Sequence, residues 1–373
     1  MSTRNDGIDM SLHTVCDNDC CTGCMACVEC CPKDAIKIDD SIRAYNAMID
    51  VSRCIDCNVC HTVCPSNDPV ELRSSMYWKQ GWARDERIRV RSSSGGIAAA
   101  VEEYFVSQGG VVCSCVFSGG RFHFALVDSI SDVAGFAGSK YVKSNPAGIY
   151  KEVRKLLTAG KKVLFVGLPC QAAAMKKVCK DHTGLYTMDL ICHGTPSPLV
   201  LERFLAENGA DLKTMGDLSF RSETGFSLRS STRSFSSSGK MDYYTYLFLN
   251  KVSYTENCYE CRYAQINRVA DITVGDSWGS TMPEEEQKKG ISLILCQTEK
   301  GKKLIQNADT VLFDVDYQKA VEGNQQLQRP SERNKGRPVF LKEFRKGHGF
   351  NTIVMKIDPK KYAKDRIKKL LGR

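Results

Sequence analysis

The chain has 373 residues, 42% of them hydrophobic and 25% charged, with 52 basic against 43 acidic side chains and a formal net charge of +9. This balance predicts a soluble globular protein of two or three domains. No run of about 18 apolar residues is present, which excludes a membrane-spanning helix, and the opening "MSTRNDGIDMSLHTV" lacks the apolar core of a secretory signal, so the expected location is cytoplasmic.

Nineteen cysteines depart from ordinary usage. In a cytoplasmic chain they point to metal binding rather than to disulfides. In "CCTGCMACVECCP" (20–32), Cys21, Cys24, Cys27 and Cys31 before Pro32 give the spacing C-x2-C-x2-C-x3-C-P. Cys54, Cys57, Cys60 and Cys64 before Pro65 repeat it. Bacterial ferredoxins use this run, and its fourth cysteine serves the other cluster. One [4Fe-4S] cluster is therefore expected on Cys21, Cys24, Cys27 and Cys64, and a second on Cys54, Cys57, Cys60 and Cys31. Zinc would need only two Cys-x-x-Cys pairs. Cys16, Cys20 and Cys30 are left over, as small semi-buried residues. "AIKIDD" and "AYNAMID" between the runs read as strands, and the whole segment 12–68 as a two-cluster ferredoxin domain.

Residues 69–91 read as a linker. A larger domain is expected over 92–320. "RSSSGG" precedes an amphipathic helix with Ile97, Val101, Tyr104 and Phe105 on one face. Ser92–Gly96 fit helix capping better than a phosphate cradle, and no G-x-G-x-x-G is present. Strands "GVVCSCVF" and "FHFALV", helix 145–160, strand "KKVLFVG", helix 170–180 and strand "GLYTMDLIC" alternate as in an α/β layer. "LSFRSETGF", "SSTRSFSSS", "DYYTYLFLN", "ADITVGDSWG" and "GISLILCQT" read as antiparallel strands, and "TVLFDVD" as a last one. The predicted class is α+β, a ferredoxin-like domain followed by a mixed α/β domain. Residues 321–373 read as a helical basic tail. It is a solvated helix or a docking surface for an acidic redox partner, with no nucleic-acid motif.

Cys170 and Cys192 fall at strand ends, and Cys258 and Cys261 form a Cys-x-x-Cys. A third [4Fe-4S] cluster on these four is the sharpest reading; zinc on the same ligands and a redox-active Cys258/Cys261 pair are the alternatives. His193, beside Cys192, is a candidate proton donor, with plain hydrogen bonding as its ordinary role. Cys113, Cys115, Cys179 and Cys296 read as core or strand residues.

The segments "SSSGG" (92–96), "GSKYVKS" (138–144), "GLPCQ" (167–171), "CHGTPSP" (192–198), "LSFR" (218–221), "ENCYECRYA" (256–264) and "ADITVGDSWG" (270–279) resemble, in order, the beta subunit of coenzyme F-420 hydrogenases and dehydrogenases. The resemblance implies an oxidoreductase that holds FAD beside an iron–sulfur cluster and exchanges electrons with a redox partner protein and a small organic substrate. That substrate could be a deazaflavin. It also implies FAD contacts at Ser93, Ser94, Gly95 and Gly96, which favours the phosphate reading over capping, and at Lys140, Tyr141, Asp276 and Trp278. A non-catalytic electron-transfer subunit of a larger complex is the alternative function.

Overall fold

The computed structural model describes residues 13–180, 182–222, 225–236 and 240–370. Near the N-terminus, β1 (Ile36–Asp40) and β2 (Tyr45–Ile49) form an antiparallel pair in the register Ile36↔Ile49. The two cysteine runs repeat in conformation as well as in sequence. Each places one left-handed residue between its second and third cysteines, Met25 at φ 63° and Asn58 at φ 62°, and each then makes a short helix, Ala26–Cys30 and Val59–Thr62.

The larger unit is built on an eight-stranded sheet. Its strands are β3 (Tyr77–Ala83), β4 (Val111–Ser118), β5 (Arg121–Val127), β6 (Val163–Gly167), β7 (Leu185–Leu190), β10 (Ile272–Asp276), β11 (Ser292–Cys296) and β12 (Thr310–Phe313). The spatial order is β12-β3-β11-β10-β7-β6-β4-β5. A separate hairpin is formed by β8 (Ser219–Ser222) and β9 (Gly225–Arg229). β4, β6, β7 and β10 run parallel, and the flanking strands pair antiparallel. Every residue of β6 and of β11 is buried, as continuous apolar runs demand of strands covered on both faces. Alternation sorts β6 between two cores. Val163 and Phe165 pack with helices Ile149–Thr158 and Pro169–Cys179, whereas Leu164 and Val166 pack with helices Ile97–Ser107 and Glu299–Asn307.

Five expectations are corrected. The segment 69–91 is no simple linker, because it contains β3, which pairs with both β11 and β12. "DYYTYLFLN" is a helix, Tyr243–Leu249, not a strand. Its β-branched and aromatic composition misleads, while Tyr244, Leu247 and Phe248 bury at helical spacing and the Asp242 carboxylate caps the N-terminus by accepting from Thr245 N–H at 2.8 Å. β10 is antiparallel to β11 but parallel to β7. Residues 230–236 of "SSTRSFSSS" form no named strand, and its last two residues lie outside the described set. The C-terminal segment is helical as expected, yet it is no loose tail. Phe340, Phe344, Phe350, Ile353 and Val354 share a buried core with Val200, Leu201 and Phe204.

The ferredoxin-like part is clamped onto the sheet domain. Glu29, inside the first cysteine run, reaches across to cap helix Ile149–Thr158. Its carboxylate accepts from Gly148 N–H at 2.8 Å, Lys151 N–H at 2.6 Å and Tyr150 N–H at 3.3 Å. The negative charge also meets the positive end of the helix dipole. Ser197 Oγ donates to Asp40 at 2.5 Å, and the Tyr150 hydroxyl donates to the Cys24 carbonyl. Replacing Glu29 by alanine strands these buried donors. It is expected to lower the unfolding free energy by about 2 kcal/mol, read as a fall in the urea midpoint.

Candidate functional site

The cysteines of the repeated runs sort into two groups. Cys31 lines one small cavity with Cys54, Cys57 and Cys60. Cys64 instead joins Cys21 and Cys27 in a buried cluster, together with Cys16. Each group thus mixes the two runs, which is the crossed arrangement of two-cluster ferredoxins. Cys24 is buried nearby, against the core of the sheet domain. Cys16 hydrogen-bonds to Cys21 and Cys64 and holds both thiols below their usual pKa, Cys64 down to about 6. Burial pushes Cys24 up to about 12. Of the leftover thiols, Cys20 is exposed and Cys30 half-buried.

A second cavity, of about 420 Å³, is lined by Cys170, Cys192, Cys258 and Cys261. Fold geometry brings them together. Cys170 starts the helix after β6, and Cys192 follows β7, so both stand at the carboxyl ends of parallel strands, where ligands of open sheets gather. The loop carrying Cys258 and Cys261 is fixed from below by Arg268. This buried guanidinium donates to Tyr263 O at 2.5 Å and Leu190 O at 3.0 Å, and lies 3.4 Å from the buried Asp189 carboxylate. Cys258 Sγ accepts from Thr195 N–H at 3.4 Å and the Asn257 amide at 3.7 Å, the kind of outer contact that orients a sulfur ligand. Burial pushes Cys192 up to about 12, Cys261 up to about 11 and Cys170 far above its usual value, so iron would have to displace protons to bind.

Four cysteine thiols are a donor set for an iron–sulfur cluster or for zinc. A zinc centre draws four sulfurs to about 2.3 Å of a single point. Among the described residues no three His, Cys, Asp or Glu side chains converge to hold one metal ion. The four thiols surround a cavity instead, and the buried Tyr263 hydroxyl in the same wall lacks a hydrogen-bond partner among the described residues.

A cavity of about 400 Å³ adjoins the thiol cavity and shares Leu168 and Cys192–Thr195 with it. Ser93, Ser94, Gly96, Lys140, Tyr141, Asp276, Trp278 and His193 all line it. Gly95 stands behind this wall, pressed against β3; a Cβ there would meet Gly81 O at 2.4 Å. The serines do not cap helix Ile97–Ser107, correcting that reading. Ser92 Oγ donates to Ile88 O, Ser94 Oγ donates to Ile291 O, and Ser93 Oγ accepts from Ser139 N–H. With Gly96 at φ 84° the first turn has no side-chain cap, and its residues Ile97, Ala98 and Ala99 contribute to the lining. That is the arrangement an anion or phosphate needs. Arg221 holds Asp276 through two contacts, at 2.9 and 3.1 Å, and stacks on Phe226; Tyr141 stacks on Phe248 at 4.5 Å. His193 borders both cavities, and surrounding protein, with the Lys251 cation, lowers its pKa, so the ring is neutral at pH 7.

Residues 20–67 match the family described as 4Fe-4S dicluster domain, and residues 160–313 match the C terminus of the coenzyme F420 hydrogenase/dehydrogenase beta subunit. The chain carries both domains. It is an iron–sulfur redox protein related to the F420 hydrogenase beta subunit. A chain of the xenon-derivatised F420-reducing [NiFe] hydrogenase complex from Methanosarcina barkeri is similar, with 17% identity and a TM-score of 0.46, over 68% of this chain and 91% of that one. No curated protein matches significantly. Among the described residues no helix is long and apolar enough to cross a membrane.

Beyond the ferredoxin-like part several lining residues escaped sequence reasoning. Glu102 and Cys115 sit on elements read as core. Phe248 lay in the misread strand. Arg221 stood inside the quoted "LSFR" without a role, since only the folded hairpin brings it to Asp276. Buried Lys143 lay unremarked in "GSKYVKS".

Proposed function

We propose that the chain is an FAD-dependent iron–sulfur oxidoreductase acting on a small organic molecule, with a deazaflavin of the coenzyme F420 type as the leading substrate class. One observation carries this reading: the thiol-lined cavity and the adjoining serine-lined cavity share a wall at Cys192 and His193. When bound, the clusters supply single-electron carriage and the flavin supplies the exchange between single electrons and a hydride. A volume of about 400 Å³ lies in the range of small-molecule sites. In this reading the Ser93–Ser94 loop and the first turn of helix Ile97–Ser107 hold phosphate. Tyr141 and Trp278 offer aromatic surface, and Lys140 and Asp276 supply polar contacts. In this reading His193, at the shared wall, exchanges a proton or a hydrogen bond with the substrate. The ferredoxin-like part faces the redox partner.

Protein purified without oxygen is expected to carry about twelve iron atoms and one FAD per chain. Zinc in place of iron, with no flavin, overturns the reading. A second reading, an electron-transfer subunit without turnover of its own, is favoured by the exposed basic helix Pro359–Leu370 as a docking surface. Turnover of a small acceptor by the isolated chain with dithionite decides between the two.

A further inference from the structure

Lys143 lies between two of the thiol groups. Its backbone N–H donates to Pro196 O at 3.0 Å, and the side chain is buried. The ammonium donates to Thr22 O at 3.0 Å, next to Cys21, and sits 5.1 Å from the centre of the Tyr45 ring. Tyr45 is bridged to Cys21 across the ferredoxin-like part. The same side chain lines the cavity of Cys170, Cys192, Cys258 and Cys261. The chain makes room for it: Gly23, at φ 69°, could carry no Cβ without meeting the Tyr45 ring at 2.5 Å and Lys143 Cδ at 3.1 Å. Its neighbour Ser144 is tied to Gln171, adjacent to Cys170, at 3.1 Å. The ammonium thus meets a carbonyl and a ring rather than a carboxylate, and a buried cation of that kind needs negative charge nearby. The Cys31, Cys54, Cys57 and Cys60 cavity does not include it.

We propose that Lys143 is the shared counter-charge of two neighbouring clusters, the one at Cys21, Cys24, Cys27 and Cys64 and the one at Cys170, Cys192, Cys258 and Cys261, and sets the reduction potentials of both. The inference rests on the cluster assignment above. A reduced cluster carries one more negative charge than an oxidised one, so a fixed cation beside it favours reduction. One lysine touching two groups raises both potentials together and keeps them level with each other. Lys143 is a positioning and tuning residue, not a catalytic one.

The test is an EPR-monitored redox titration of the anaerobically purified full chain, wild type against Lys143→Met, Lys143→Gln and Lys143→Arg. Gln keeps a donor for Thr22 O without the charge, and Arg keeps the charge. In the Met and Gln variants two of three clusters are expected to become roughly tenfold harder to reduce, a fall of about 59 mV. The third serves as internal reference, and Arg restores the wild-type values. Potentials unchanged in Lys143→Gln, or all three clusters shifting together, overturn the proposal. If Met and Gln do not accumulate as folded protein, a shift in Lys143→Arg as large as that expected for charge loss overturns it too, and wild-type potentials there uphold it. Wild-type protein without iron and sulfide defeats the cluster assignment itself, a result distinguishable from iron-loaded protein whose potentials ignore Lys143.

Discussion

Replacing Cys258 by alanine is expected to remove about four of roughly twelve iron atoms while the two ferredoxin-type clusters stay. Cys258 is chosen because its sulfur already accepts two N–H groups, from Thr195 and Asn257, and because it sits apart from both cysteine runs. Three thiols would then line a cavity built for four. The loop that carries Cys261 would keep its protein contacts, among them Arg268 to Tyr263 O and the pairs of Arg333 with Glu256 and Glu260 and of Arg337 with Glu256. Since metal affinity is also folding free energy, the variant should melt earlier as well as lose iron. Iron and sulfide counts with EPR of the reduced protein check this. Full iron content in the variant contradicts a cluster on Cys170, Cys192, Cys258 and Cys261.

Glu102→Gln should change how stability depends on pH. Glu102 lies on helix Ile97–Ser107, buried in the lining of the cavity that adjoins the thiols, and burial pushes its carboxyl up to about 8 against the nearby Lys140 cation. Burial likewise presses Lys140 down, so the pair tends toward its neutral forms. The sign follows directly. Between the usual 4.5 and about 8 the folded chain keeps a proton that the unfolded chain releases, so stability falls as pH rises through that window. At 1.36 kcal/mol per pH unit the full fall is roughly 5 kcal/mol. Glutamine carries no such proton, so the variant should match the wild type near pH 5 and exceed it near pH 8. Denaturation midpoints at the two pH values measure this, and parallel behaviour of the two proteins would refute it.

The cysteine spacing made the ferredoxin-like part legible because ligand geometry is local: three thiols within seven residues declare themselves without the fold. The scattered Cys170, Cys192, Cys258 and Cys261 were legible only through strand ends and a resemblance. Their common cavity depends on β6, β7 and the Arg268-held loop meeting. Strand 77–83 was hidden because its partners, β11 and β12, lie over 200 residues away, and the intervening aromatics looked exposed. Tyr243–Leu249 was misread because composition outweighed the Asp242 cap and the burial spacing of Tyr244, Leu247 and Phe248. Glu102 carries no motif and Lys143 stood unremarked inside "GSKYVKS", and only the fold reveals their burial.

Glu29 gives the molecule a rigid joint. A carrier on a flexible tether must swing to deliver its charge, and its pace drops as the medium thickens. Here one carboxylate from the first cysteine run is locked onto a helix of the neighbouring domain. The separation of donor and acceptor is therefore set by covalent and hydrogen-bonded scaffolding, and internal transfer should proceed at the same speed in glycerol as in dilute buffer.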